Sequence, residues 1–223
     1  MTRRLYVLDF DRTLADTNKL NDAFMKLIGD THPTVSETLH QQMRAAEQSG
    51  ASFVTLDAVR GLLSPEEYDS LLERFAMYQE ESNYQLPGVE ELLAYIRASG
   101  SDAQIVSYGD AAWQELKARA SGLAEELPFI VVSEPRKSAI VLGWKQDDGT
   151  FLAPGAPDAV YDEVIVVDDK AKAFEVWGSG LIGYWVRSSS ELLPSQRGEV
   201  SDDVHKVHSL YEVGANELTR VGR

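Results

Sequence analysis

The chain has 223 residues, with 21 Lys and Arg against 36 Asp and Glu, a formal charge of −15 and no cysteine. The length suits one large domain or a core carrying an inserted module. The acidic balance repels phosphate backbones, so no nucleic-acid partner is expected, and the missing cysteine excludes disulfides, thiol nucleophiles and Cys-based zinc sites. No apolar run approaches the roughly 20 residues of a membrane span, and the run behind "MTRR" is too short for a signal peptide. The expectation is a cytoplasmic protein that makes no membrane contact.

The first element in chain order is a strand, "RLYVLD" at 4–9, apolar without alternation and therefore covered on both faces. Residues 18–86 then read as helices over 18–29, 35–48, 52–62 and 64–82, with a competing strand reading only at "SFVTL". The last helix opens "SPEE", where Ser64 caps, Pro65 fills the first turn and Glu67 completes a capping box. After "YQLPGVE" the pattern becomes helix and strand in alternation. Helices are expected at 88–100, closing on Gly100, at 110–122 and at 170–180, and strands at "DAQIVS", "PFIVVS", "DEVIVVD" and "GLIGYWV". "SAIVLGW" followed by "DDGTF" reads either as a helix or as a hairpin, and "VHKVHSLYEV" adds a last strand or helix. The fold class is α/β, a doubly wound parallel sheet with an all-helical insertion: core at 1–17 and 87–223, insert at 18–86.

In such a sheet, ligands sit at the carboxyl ends of the strands. Those ends carry Asp9, Asp11, Arg12 and Thr13 after the first strand, and Ser107, Tyr108, Gly109 and Asp110 after the second. Ser133, Glu134, Arg136 and Lys137 follow the third, and Asp168, Asp169 and Lys170 end the fourth. Four carboxylates gathered in one pocket cannot all stay ionised unaided, and hard oxygen donors suit Mg²⁺. One carboxylate could then attack phosphorus and a second, two residues on, could protonate the leaving oxygen. Ser107 and Lys137 would hold the transferring phosphoryl oxygens, and Gly109 would let backbone approach closely.

These segments resemble the haloacid dehalogenase-like (HAD) superfamily, and within it the phosphatases. "LDFDRTL" is similar to the first HAD motif, "IVSYG" to the second, "VSEPRKS" to the third and "VIVVDD" to the double-Asp form of the fourth. The resemblance implies a Rossmannoid core with a C1-type helical cap at 18–86 that would exclude water and large substrates. It implies Asp9 as nucleophile and metal ligand, and Asp11 as general acid/base whose backbone carbonyl also meets the metal. Asp169 would complete the Mg²⁺ site, Asp168 would share the metal or orient Lys137, and Ser107, Tyr108, Gly109 and Lys137 would meet the phosphate, with the Arg12 side chain directed at the substrate phosphate or at the cap. Asp11 separates this pattern from the true dehalogenases. Arg12 departs from it, standing where Gly is common. Lys145 is the reserve for Lys137, and Lys170 a third candidate. The expected function is a Mg²⁺-dependent phosphatase acting on a small phosphorylated metabolite.

The alternatives are a phosphomutase of the same superfamily, a catalytically silent binding module, and a receiver-like domain, which would be about half this length. "GSGLIG" at 178–183 matches a dinucleotide fingerprint in letters only, because it follows a helix and enters a strand. His205 and His208 read as a surface pair, and Asn18, Lys19, Tyr78 and Tyr84 are the insert's candidate substrate contacts. Oligomeric state is not legible in the sequence.

Overall fold

The computed structural model describes residues 2–49, 54–77, 83–188 and 192–221. In chain order its elements are β1 (Arg4–Leu8), α1 (Thr17–Thr31), α2 (Pro33–Ser49), α3 (Thr55–Arg60), α4 (Pro65–Ala76), α5 (Val89–Ala98), β2 (Asp102–Tyr108), α6 (Ala111–Ala120), α7 (Leu123–Glu126), β3 (Phe129–Val132), α8 (Lys137–Leu142), β4 (Phe151–Leu152), β5 (Val160–Tyr161), β6 (Glu163–Asp168), β7 (Leu181–Val186), β8 (Val204–Val207) and α9 (Leu210–Val221). Six strands form one sheet in the order β3-β2-β1-β6-β7-β8, and every pairing in it is parallel. This is the doubly wound α/β arrangement expected from the sequence.

The chain divides into two compact units. One comprises Met1–Ala15, Gln85–Tyr108 and Glu126–Arg223, the other Asp16–Tyr84 and Gly109–Glu125. The first unit is the sheet and its flanking helices. Leu5, Val7, Val106, Val164, Val166 and Trp185 share one buried cluster with Phe151, Tyr161 and Phe174, so the strands that read as unbroken apolar runs do lie in a core. Helix α5 ends through Gly100, whose φ of 68° lets the Ser101 N–H return to the Ile96 carbonyl at 3.2 Å. Helix α9 is tied down by Glu217, fully buried, which accepts from the Tyr184 hydroxyl at 2.7 Å and from Arg220 at 2.9 Å.

The second unit is helical. Asp16 caps α1 by accepting from the Lys19 N–H at 3.0 Å. The capping box of α4 forms as expected, Ser64 N donating to Glu67 at 3.0 Å and Glu67 N to Ser64 at 3.3 Å. Residues 109–125, which the sequence places with the core, group here instead. The physical reason is Trp113 of α6, whose ring lies 5.0 Å from Phe24 and 6.1 Å from Phe75: an aromatic face of this size takes the apolar partners that bury it best. The expected helices at 52–62 and 64–82 are seen as α3 and α4, and residues 50–53 and 78–82, Tyr78 among them, lie outside the described residues. Among the described residues, no helix is long and apolar enough to cross a membrane.

Two local expectations are corrected. Residues 170–180 form only a 3₁₀ turn at Ala171–Phe174. The Asp168 carboxylate accepts from the Lys170 N–H at 2.7 Å, and the expected span closes on Gly178 and Gly180, the latter in the left-handed conformation with φ 88°, residues that disfavour a continued helix. The ambiguous 138–151 segment resolves into both readings in succession. Helix α8 runs to Leu142, and the chain then folds back, with the Leu152 N–H donating to the Trp144 carbonyl at 3.0 Å.

Candidate active site

The register of the sheet builds the site. Leu8 is opposite Ile105 of β2 and Val167 of β6, so in these parallel strands Asp9, Ser107 and Asp168 emerge at the same edge. Asp9 is fixed by its own N–H, which donates to the Val167 carbonyl at 2.9 Å. The chain then turns sharply. The Leu14 and Ala15 N–H groups both return to the Phe10 carbonyl, at 3.0 and 2.9 Å, and the Thr13 hydroxyl donates to Asp9 Oδ2 at 3.0 Å. Arg12 takes the left-handed conformation in this turn, with φ 62°. That backbone costs a side-chain-bearing residue about 1–2 kcal/mol, which explains why glycine suits the position and what the arginine departs from.

Asp9, Asp168 and Asp169 each offer a carboxylate oxygen within 4.8 Å of the other two, and all three are buried. Lys137 enters from the start of α8 and is only 2 % exposed. Its ammonium donates to Asp9 Oδ1 and to Asp168 Oδ2. Lys145 donates instead to the Ser179 carbonyl at 2.7 Å and hydroxyl at 2.8 Å, so the geometry favours Lys137 as the lysine of the cluster. Ahead of it, Arg136 clasps Glu134 through contacts of 2.9 and 2.7 Å, and these hydrogen bonds hold the Glu134 carboxyl down at about 2.

The electrostatics follow from burial. Desolvation, then the charge of Asp9, raises Asp168 to about 6 against the opposing pull of Lys137. Desolvation, then Asp9 and Asp168, raises Asp169 to about 8. For Lys137, burial favours the neutral amine, but the charges of Asp168 and Asp9 and the hydrogen bonds to both outweigh it and raise its pKa. Lys170 is raised in the same way, burial being overcome by Asp9, Asp169 and Asp168. Burial and mutual repulsion thus favour the protonated forms of Asp168 and Asp169.

The residues fit a hard divalent cation. The donor set is all carboxylate oxygen, and Asp169 Oδ1 is buried with no hydrogen-bond partner, an orphan that a cation would take up. Asp11 is half-buried, and its carboxylate is not a member of the triad. The Ser107 hydroxyl is likewise buried without a partner, a donor held in reserve at the strand end. Tyr108 beside it is 43 % exposed. Gly109 belongs to the helical unit, where its φ of 150° and the Gln114 amide, 2.7 Å from where a Cβ would stand, leave no room for a side chain. Tyr84 is buried, with the Lys19 ammonium 5.6 Å above its ring. His205 stacks on Tyr184 and His208 lies by the Arg187 carbonyl.

Sequence reasoning missed two members of the site's support. Gln196 donates to Asp169 Oδ2 at 2.7 Å, and Trp185 Nε1 donates to the Asp169 carbonyl at 3.0 Å. Nothing in the local pattern of either segment points to the acids.

A parallel α/β sheet with a buried carboxylate triad and a lysine at its carboxyl edge, and a helical insertion behind its first strand, defines a Rossmannoid protein with an acidic centre. Its fold is that of the haloacid dehalogenase-like superfamily. No protein-family model and no curated protein sequence matches the chain, and the likeness is carried by solved structures. A protein of Burkholderia xenovorans LB400 assigned to the haloacid dehalogenase-like hydrolases superposes with a TM-score of 0.65 at 16 % identity, covering 99 % of both chains. The HAD-hydrolase YfnB of Bacillus subtilis, bound to magnesium, gives 0.54 at 16 % identity over 97 % of this chain and 99 % of that one. The L-2-haloacid dehalogenase of Xanthobacter autotrophicus gives 0.51 at 13 % identity over 99 % of both.

Proposed function

We propose that this chain is a magnesium-dependent phosphatase that hydrolyses a small phosphorylated metabolite through a phosphoryl group carried on Asp9. The observation that carries the reading is the convergence of Asp9, Asp168 and Asp169 within 4.8 Å around the buried Lys137. Asp9, Asp168 and Asp169 would hold the ion, which supplies charge neutralisation for the acids and the phosphoryl oxygens. Magnesium bound to the Bacillus protein of the same fold is consistent with that choice.

The chain's own residues then have the following work. A carboxylate oxygen of Asp9 attacks phosphorus, the phosphorus–ester oxygen bond breaks, and the departing alkoxide takes the proton of Asp11. Water next attacks the phosphorus of the acyl phosphate and gives a proton to Asp11. The bond from phosphorus to Asp9 breaks and inorganic phosphate leaves. Lys137 and the Ser107 hydroxyl donate to the phosphoryl oxygens as their charge spreads in the transition state.

The dehalogenase chemistry of the Xanthobacter protein fits these residues less well. A halide leaves as a stable anion and needs no proton, so it gives no use to an acid two residues beyond the nucleophile, nor to a triad that demands a cation.

The test is hydrolysis of para-nitrophenyl phosphate with Mg²⁺ and with EDTA, by the wild type and by Asp9→Asn. Expected is Mg²⁺-dependent turnover that falls at least ~10⁴-fold in the variant while its far-UV circular dichroism is unchanged. Turnover by Asp9→Asn at the wild-type rate would reject the mechanism.

A further inference from the structure

The structure assigns Gln196 a task at this centre: it is a positioning residue that turns the Asp169 carboxylate so that one oxygen only faces the triad, which tunes the centre toward Mg²⁺ over larger divalent ions. The inference rests on the metal reading proposed above and goes beyond it by naming what sets the ion preference.

Gln196 ends the 3₁₀ turn Pro194–Gln196 and is 6 % exposed. Both ends of its amide are committed. Oε1 accepts from the Leu193 N–H at 2.9 Å and Nε2 donates to Asp169 Oδ2 at 2.7 Å. Because the backbone N–H of Leu193 can only donate, it fixes which end of the amide is oxygen, and the NH₂ must face Asp169. With Oδ2 so engaged, Oδ1 is the oxygen left over, and it is buried without a partner. The Trp185 indole holds the Asp169 carbonyl at 3.0 Å, so the backbone behind the carboxylate is pinned as well. Lys137 sends its hydrogen bonds to Asp9 and Asp168, which leaves the orientation of Asp169 to Gln196.

A carboxylate held this way offers Oδ1 as its uncommitted donor, which favours single-oxygen ligation. Mg²⁺ wants near-octahedral single-oxygen donors at short distance, whereas Ca²⁺ takes more oxygens and readily uses both of one carboxylate. A supporting residue that fixes a ligand's orientation commonly changes metal affinity by 10–100-fold.

The experiment titrates the full chain, without substrate, with MgCl₂ and with CaCl₂ by calorimetry, for wild type, Gln196→Met and Gln196→Ala. Methionine keeps the length of the side chain and removes the donor. Should Ala fail to fold, Met decides. The expected result is a dissociation constant for Mg²⁺ at least ~10-fold weaker in the variants, with the preference for Mg²⁺ over Ca²⁺ reduced and the metal-free circular dichroism unchanged. Wild-type affinity and preference in Gln196→Met overturn the inference, and so do equal losses for both ions, the mark of a loosened turn. A wild-type chain that takes up neither ion overturns the metal reading itself.

Discussion

Lys137 is where the electrostatic account is most exposed to test. Its ammonium is 2 % exposed and bonded to two carboxylates that are each 1 % exposed. Replacing it by Met keeps the aliphatic stem, so little cavity is created, but removes the positive charge from between Asp9 and Asp168. Breaking a buried ion pair by deleting one partner costs about 3–5 kcal/mol, since the other charge stays behind without compensation. The acids limit the loss by binding protons: Asp168 sits at about 6 with Lys137 pulling it down, and without that pull it moves higher. For a chain of this size each kcal/mol shifts the midpoint by about 2–4 °C, so Lys137→Met should melt ~6–20 °C below wild type in EDTA near pH 8. The gap should narrow toward pH 5, below the values of about 6 and about 8 for Asp168 and Asp169. Mg²⁺ should raise the midpoint of the variant more than that of wild type, because the ion supplies charge the variant lacks. A variant that melts in EDTA within about 2 °C of wild type would show that Lys137 is not what neutralises these acids.

Two further outcomes follow from the same groups. Asp168 at about 6 and Asp169 at about 8 bind protons more tightly folded than unfolded, where aspartate titrates near 4. Their contribution to stability is therefore complete below pH ~4 and is lost as pH rises through the two folded values; the EDTA-treated protein should lose midpoint temperature between pH 5 and 8.5, Mg²⁺ should flatten that slope, and a midpoint that rises across the range in EDTA would contradict the assignment. Ser107→Ala removes a hydroxyl that is buried without a partner, so metal-free stability should change by less than about 1 kcal/mol while kcat/KM for an aryl phosphate falls ~10²-fold; a stability loss with unchanged kinetics would make the hydroxyl structural.

Much of the fold was legible because the strands of a covered parallel sheet are short, unbroken apolar runs, and β1, β2, β6 and β7 announce themselves that way. The acids were legible for a related reason: Asp9 and Asp168 interrupt such runs at their carboxyl ends, where parallel order brings them together. Lys137 was harder to separate from Lys145, because α8 is six residues long, too short to display a helical period. The expected helix at 170–180 shortened to a 3₁₀ turn at Ala171–Phe174, since the span holds two glycines, Gly178 and Gly180, and Gly180 is left-handed. The membership of α6 was hidden in another way. The sequence marks a helix around Trp113 but not the partners of its ring, which is half-buried and lies against Phe24 and Phe75. Gln196 was the least visible of all, being 27 residues from Asp169 and on a turn without periodicity.

The charge inventory of the centre narrows the chemistry that Asp9 can do. The whole chain carries a formal −15, so at long range it repels a phosphate dianion as it repels other anions. The proposed attack by Asp9 would then require the sign to be inverted locally. With the triad ionised, Lys137 offsets one of its negative charges, and Lys170, whose pKa the same three acids raise, offsets a second. One negative charge is left beside the orphaned oxygen of Asp169. A monovalent cation would bring the cavity only to neutrality, whereas a divalent one makes it net positive, the condition under which a dianion can be drawn against Asp9. The inversion is local, since beyond about a Debye length of 8–10 Å solvent ions screen it. On the function proposed above, the phosphoryl group would have to be brought close to Asp9 itself, and metal-free protein should be poor at binding phosphate as well as at cleaving its esters.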